Sequence, residues 1–394
     1  MRMELQRLLS QKAAGVSVGV IREMFDKAAK MDDVISMGIG EPDLDTDPRV
    51  CRACAEALER GMTHYAPNAG RLELRRAIAK HGLIAGEIYD PEGEIIVTNG
   101  GMGALALLMQ VLLEPGDGVL VQDPQYLNFA TTIELVGGRA IRVPTRFEDG
   151  FCPTPEAIRA AYVPGRTKIL LLNSPNNPTG EVIPREKLEA LARVACELDL
   201  LVVSDEVYGT LLYDGAEALS IAALPGMRDR TVVLGSFSKA FAMTGWRIGY
   251  AAGPSEIIGC MTRYQEYFNS CINTAAQLGA VWALEHKAEL TEAVRLSFEE
   301  RRELTLEALR DIPGMRTNRP KGAFYCFPDI RAYGMDDETF CNRLLEEAHV
   351  VCVPGSAFGA HGSGFMRLAY TAKKDRLAEG LERLHDFCRT HLNN

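Results

Sequence analysis

The sequence predicts an α/β protein: a large domain built on a mostly parallel sheet flanked by helices, with a smaller α+β domain beside it. Three observations carry this prediction. Between about residues 95 and 253, short runs rich in Val, Ile and Leu alternate with segments of helical period, the pattern of strands separated by covering helices. At 394 residues the chain is longer than one simple core accommodates. A long charged helical stretch, Lys287 to Arg310, reads as the link into a second domain.

The elements follow in order. Val18 to Ala29 sets apolar residues at helical spacing before the charged pair Asp32 and Asp33, and Pro48 to Gly61 reads as helix. Ile95 to Thr98 reads as a strand that runs into a glycine turn and a helix ending at Leu113. Gly118 to Gln122, 139–143 and 168–172 read as further buried strands, with a short helix, Pro155 to Tyr162, before the last of them. Helix Pro184 to Leu198 and strand Leu200 to Val203 come next, then strand Thr231 to Leu234 and an apolar run after Gly249. Pro254 to Tyr267 reads as helix, Gly322 to Pro328 as an alternating, edge-like strand, and Asp375 to Arg389 as an amphipathic closing helix.

Composition narrows the function classes. A formal charge of -10 and a pI near 5.4 argue against a nucleic-acid or anionic-membrane surface. No apolar run approaches the roughly 18 residues of a membrane span, so a soluble, cytoplasmic protein is expected. The ten cysteines are scattered through apolar segments, which reads as reduced and buried rather than disulfide-paired. Cys51 and Cys54 form one C-x-x-C with no second Cys or His pair at metal spacing, so no metal is expected.

Residues that carry chemistry collect where strands end. Ser236, Ser238, Lys239 and Arg247 fall within a dozen positions after an apolar run. An ordinary Ser-x-Ser-Lys loop leaves its lysine in water, but here small residues crowd it, and the hydroxyls with Arg247 suit a phosphate. An amine in a dry, cation-flanked pocket is what Schiff-base chemistry needs. Gly101-x-Gly103-x-x-Ala106, with Asp123 beyond the next strand, fits a dinucleotide-binding pattern; free N–H groups at a helix start serve any phosphate equally. Asn173 to Gly180 is an excellent turn, and it follows a strand at the edge where open α/β sheets bind ligands. Asp205, directly after an apolar strand, is costly to bury without a cation. Arg367 among apolar residues is either a structural salt bridge or a fork for a carboxylate.

Taken together these motifs resemble the class I/II aminotransferases, the fold-type I pyridoxal-phosphate (PLP) enzymes of the aspartate/aromatic aminotransferase-like kind. The matching stretches are G-x-G-E-P-D at Gly38 to Asp43, Y-x-P-x-x-G-x-x-x-L-R at Tyr65 to Arg75, S-P-x-N-P-T-G at Ser174 to Gly180, Ser236 to Lys239 with Arg247, and G-A-F-Y-x-F at Gly322 to Phe327. The resemblance implies that Lys239 carries PLP covalently. It further implies that the N–H groups of Gly101 and Met102, with Ser236, Ser238, Arg247 and the partner subunit's Tyr65, hold its phosphate. Tyr126 would stack on the ring, Asn177 and Tyr208 would bond its phenolic oxygen, and Asp205 would keep its nitrogen protonated. Gly40, Asn177 and Arg367 would hold the substrate α-carboxylate, and Arg263, Tyr264 and Tyr267 lie near where some relatives select the distal side chain. For Tyr65 an interface packing role is compatible with the same position.

The implied architecture is a large PLP-binding domain over 35–284 and a small domain from 1–34 and 285–394. The implied activity is ping-pong transfer of an amino group from an L-amino acid to a 2-oxo acid, with 2-oxoglutarate the first candidate, in a homodimer. Two other activities stay open: a carbon–sulfur β-lyase using the same lysine and cofactor, and a nicotinamide-dependent dehydrogenase. The dehydrogenase rests on the glycine motif alone and leaves Asn177, Asp205 and Lys239 unexplained.

Overall fold

In the computed structural model seven strands form one sheet, in the order Ile95–Asn99, Ile248–Ala252, Thr231–Ser236, Leu201–Asp205, Thr167–Asn173, Gly118–Asp123 and Arg139–Pro144. The structure describes residues 10, 20–82, 88–217 and 219–392. Thr231–Ser236 and the four strands beyond it pair in parallel, while Ile248–Ala252 runs antiparallel to both its neighbours. The sheet is mostly parallel, as expected.

Period-two alternation sends successive residues of one strand into different cores. Val119 and Val121 pack with Leu105, Leu108 and Phe129 on one face, and Leu120 packs with Leu170, Leu188 and Leu191 on the other. Both faces are covered by helices, so these strands read as continuous apolar runs. A separate core joins Met24, Ile35 and Met37 to residues from Val294 to Cys388, and also takes in Tyr208, Leu211 and Tyr213. The helix Lys287–Asp311 gives Leu290 to a core beside the large sheet and Val294, Phe298 and Leu306 to this one. Here three short strands, Val353–Pro354, Met366–Ala369 and Tyr325–Cys326, pair antiparallel, and Ile35–Ser36 pairs in parallel with Val350–Val351.

Three expectations change. Arg139–Pro144 is the sheet's edge rather than a buried strand, with only Val143 buried; Arg139 and Arg142 supply the charge that keeps an edge from pairing with other chains. Gly322 to Pro328 is not edge-like in environment, since 322–330 are buried throughout. Its alternate side chains meet protein on both sides: Phe324 packs on Phe298 and Tyr208, and Phe327 on Phe358 and Phe365. All ten cysteines are free, but only Cys152, Cys326, Cys341, Cys352 and Cys388 are buried. The opening helix spans Val20–Ala28, and the earlier part of the expected segment lies outside the described residues.

One glycine fixes how the sheet meets its first covering helix. A Cβ on Gly249 would stand 2.5 Å from the carbonyl carbon of Gly100 and 2.6 Å from the nitrogen of Gly101, both backbone atoms. Nothing flexible is there to move aside. Gly249→Ala is therefore expected to destabilise the fold by about 1–3 kcal/mol, the usual penalty of overpacking, read as a lower urea midpoint at unchanged m. An unaltered midpoint would mean that the turn at Gly100 and Gly101 yields freely.

Candidate active site

Three adjacent parallel strands end on Asn173, Asp205 and Ser236, and all three residues line one cavity of ≈ 370 Å³. This is the carboxyl edge of the sheet, where open α/β folds bind ligands. Asn173 ties the strand ends together. Its Nδ2 donates to the Asp205 carbonyl at 3.1 Å and its Oδ1 accepts from the Asn177 N–H at 2.9 Å. Asp205 is the last residue of its strand, which runs two residues past the expected end at Val203. Its Oδ1 accepts from the Val207 N–H at 3.2 Å, and no cation pairs with it among the described residues. Burial pushes this carboxyl up to about 7. Glu206 turns the other way, as strand alternation predicts, and its Oε1 accepts from Ser204 and Ser220.

At one end the cavity is built for an anion. The helix Gly100–Leu112 starts here with unspent N–H groups, and the Ser236 Oγ caps the four-residue helix Phe237–Ala240 by accepting from the Ser238 N–H. Arg247 Nη1 donates to the Thr244 carbonyl at 2.9 Å, while a Cβ on Gly100 would stand 2.5 Å from Nη2. Glycine at 100, with φ of +69°, is what lets the guanidinium approach the helix start. Gly101, Met102, Ser236, Ser238 and Arg247 all line the cavity.

Lys239 Nζ donates to the Gly40 carbonyl at 2.7 Å and lies 5.9 Å from the Phe324 ring centre. Loss of hydration lowers its pKa to about 8, with Arg247 and Arg367 adding to the drop and Glu41 opposing it. Arg367 is 5% exposed and lies between the Tyr325 and Phe358 rings, 4.7 and 4.8 Å from their centres. Its Nη1 donates to Asn177 Oδ1 at 2.9 Å and its Nη2 to the Gly38 carbonyl at 2.7 Å. No carboxylate pairs with it among the described residues, so the structural salt bridge is not what occupies it. Gly40, the glycine expected beside the substrate carboxylate, lines the cavity; its carbonyl accepts from Lys239, and the carbonyl bonded to Arg367 is that of Gly38, two residues earlier.

Aromatic groups close the remaining walls. Tyr126 lines the cavity, with its Oη accepting from Asn128 Nδ2 at 2.9 Å, and burial lifts its pKa to about 12. Tyr208 and Tyr325 share a hydrogen bond of 2.8 Å between hydroxyls, and burial raises both. Tyr325 is the principal residue that sequence reasoning did not single out. Its hydroxyl also lies 3.5 Å from Asn177 Nδ2, and a Cβ on Gly40 would meet it at 2.2 Å. The signal available was the aromatic at the centre of Gly322 to Phe327, but nothing local announces a partner 117 positions away. Phe25, Ile39, Leu105, Leu127 and Asn173 also line the cavity without having been assigned.

Several sequence candidates stand elsewhere. Tyr65 is 89% exposed and lies beside a second cleft with Leu58, Met62 and Cys271. Arg263, Tyr264 and Tyr267 occupy the exposed face of the helix Ser255–Asn269, outside the lining of the cavity. Gly103 does not line the cavity, and Asp123 is buried against His361, 3.1 Å from Nδ1. The dinucleotide reading thus loses its acidic residue.

The donor set fits a group with an anionic phosphate at one end and a protonated ring nitrogen at the other. The helix start with Arg247 suits the first, and Asp205, a buried carboxylate without a counter-charge, suits the second. Comparison with known proteins agrees in fold and sequence. A family model described as aminotransferase class I and II matches residues 32–384. Aromatic-amino-acid aminotransferase 2 of Thermococcus litoralis is 40% identical over 95% of this chain and 97% of its own length. An aspartate aminotransferase of Pyrococcus abyssi is 41% identical over 97% and 98%. Among solved structures, a Thermus thermophilus aspartate aminotransferase single mutant superposes with a TM-score of 0.91 at 39% identity, covering 98% of this chain and all of that one.

The drying of Lys239 is open to direct test. Its lowered pKa gives roughly two orders of magnitude more free amine at neutral pH than an ordinary lysine has. In protein freed of small molecules, modification of Lys239 by an amine-reactive reagent, followed by peptide mapping, should reach half its maximal rate near pH 8. A half-maximum above pH 10 would show the amine to be hydrated.

Proposed function

The chain belongs to the class I and II aminotransferase family and is an enzyme of amino-group transfer; from that premise we propose that it moves the amino group of an L-amino acid to a 2-oxo acid by a ping-pong sequence, with PLP held in the cavity. Members of this family depend in general on PLP. The observation that supports the reading most is that Lys239, Asp205 and Arg367 are withdrawn from water in one cavity, and none has an opposite charge bound to it among the described residues. Groups of this kind are costly to fold around unless a ligand uses them.

The N–H groups of Gly101 and Met102, with Ser236, Ser238 and Arg247, would hold the phosphate; Tyr126 would lie against the ring; Tyr208 and Asn177 would bond its phenolic oxygen. The Asp205 carboxylate would keep the ring nitrogen protonated, and the positive charge of that nitrogen would offset the cost of burying the carboxylate. When bound, PLP supplies an electron sink for negative charge developing at the substrate α-carbon. Arg367 receives the α-carboxylate on its guanidinium fork, with Asn177 holding the fork in place. Lys239 Nζ, whose lowered pKa of about 8 leaves far more free base near neutral pH than an ordinary lysine has, removes the α-proton and delivers it again within the same cavity. Tyr325 braces the arrangement, since its ring supports the guanidinium and its hydroxyl spans Tyr208 and Asn177.

We further propose that the enzyme is a homodimer. Tyr65, Tyr267 and Phe268 are large aromatics left 89%, 85% and 60% exposed, an apolar surface suited to a second copy. Tyr65 of the partner subunit then reaches the phosphate end of the site. The β-lyase reading would employ the same lysine and cofactor, but every relative reported above is an aminotransferase by name.

Absorption spectra provide the test. Addition of a donor amino acid without any acceptor should convert the visible band of bound PLP to one in the near ultraviolet, with one 2-oxo acid released per site. A persistent band with accumulating pyruvate and ammonia would reassign the protein as a lyase. Lys239→Ala should lower the transfer rate by about 10²–10⁴-fold or more. Arg367→Lys, which keeps the charge and loses the fork, should raise the donor KM about tenfold while moving kcat less. Equal losses in kcat and kcat/KM would instead give Arg367 a role confined to the transition state.

A further inference from the structure

We propose that Asp123 and His361 are positioning residues for the α-carboxylate: through Phe358 they set the angle at which Arg367 presents its fork. This rests on the aminotransferase reading and extends it to groups outside the cavity. Arg367 stands on the strand Met366–Ala369 of the three-stranded sheet, whereas the cavity opens at the carboxyl edge of the seven-stranded one. The fork therefore needs ties across that junction. On one face of the guanidinium, Tyr325 is tied by its hydrogen bond to Tyr208. Phe358, on the other, has a tie of its own, and it ends on Asp123.

Asp123 is the last residue of the strand Gly118–Asp123 and is 1% exposed. Its carbonyl accepts from the Thr145 N–H at 3.0 Å and from Thr145 Oγ1 at 2.8 Å, so the strand end is fixed from its own sheet. Its carboxylate faces the segment that follows Val353–Pro354. Oδ1 accepts from the His361 N–H at 3.4 Å and Oδ2 from His361 Nδ1 at 3.1 Å; a carboxylate only accepts, so Nδ1 carries the hydrogen. No lysine or arginine pairs with this carboxylate among the described residues, and a buried carboxylate answered by a half-exposed imidazole is a costly way to gain stability alone. Phe358 lies between two ties. Its carbonyl accepts from the Gln125 N–H at 2.9 Å, and three residues later the chain closes on Asp123. Gly359 allows the closure: it has φ of +133°, and a Cβ there would collide with Asp123 Oδ1. The Phe358 ring, held from both ends, has its centre 4.8 Å from Arg367 Cζ. When His361 lets go, the segment moves rather than the strand end, and Phe358 turns with it.

The His361 side chain is 46% exposed, so its replacement leaves the core intact. The experiment follows loss of the visible band by stopped flow in the PLP-loaded enzyme, without acceptor, with L-phenylalanine, L-alanine and L-aspartate as donors. His361→Ala is expected to raise the apparent KM of every donor that converts the band by about three- to tenfold, the net worth of one hydrogen bond, with the limiting rate held within about twofold. The factor should be the same for each donor, because the α-carboxylate is common to all. His361→Asn, whose amide donates from near the place of Nδ1, should return KM to within about twofold of the original. The effect of Arg367→Lys should shrink to about threefold or less in the His361→Ala background, since both changes act on one interaction. An unmoved KM in His361→Ala, a loss confined to kcat or to the urea midpoint, or donors that respond unequally would each overturn the inference while leaving transamination intact. So would His361→Asn no better than His361→Ala, or effects of the two sites that simply multiply. If no L-amino acid shifts the band in the unaltered enzyme, it is the aminotransferase reading that fails.

Discussion

Everything at the site depends on three neighbouring parallel strands ending at one edge of the sheet, on Asn173, on its register partner Asp205, and on Ser236, two residues past the Leu234 that pairs with Asp205. Parallel strands point their last residues at one edge, and the crossover helices that pack both faces leave that edge open. The cross-bond from Asn173 Nδ2 to the Asp205 carbonyl sets the ends in register, and the Ser236 cap turns the chain so that Lys239 comes back over the opening. Loss of that alignment would scatter the charged groups.

The arrangement holds ionisable groups largely out of water. Asp205 is pushed up to about 7 and Lys239 is drawn down to about 8, in both cases chiefly by burial. Arg367 rests on two aromatic rings and two neutral acceptors rather than on a carboxylate. A fold that only had to be stable would pair or omit such groups. Their retention in one cavity is the physical signature of a site whose ligands bring the missing charges.

The local motifs were legible because their chemistry is local. A glycine turn before an apolar helical run creates free N–H groups wherever it folds, and Asn-Pro-Thr-Gly turns the chain whatever surrounds it. Where neighbours from elsewhere decided the matter, sequence reading failed. Arg139–Pro144 had the composition of an inner strand and became an edge, because no further strand docks beyond it among the described residues. Gly322 to Pro328 alternated like an edge and became a core segment, because aromatic residues cover both its sides. Arg263, Tyr264 and Tyr267 follow the lysine segment closely in the chain but lie on the outer face of their helix.

By itself the sequence determined the order of strands and helices, the mostly parallel sheet, and the identity of most side chains that line the cavity. The elements follow from periodicity and from turn and helix-start chemistry, which act over a few residues, and the cavity residues were named through the resemblance of their motifs to a family. Only the tertiary structure decided which of them touch. Arg367 meets Gly38 across 329 positions and Asn177 across 190, Lys239 meets Gly40 across 199, and Tyr208 meets Tyr325 across 117. Such contacts are set by how two cores dock against each other, and they leave no periodic trace in the chain. Phe25 and Leu127 belong to the same class: in sequence they are ordinary apolar residues, and only the fold brings them to the lining of the cavity.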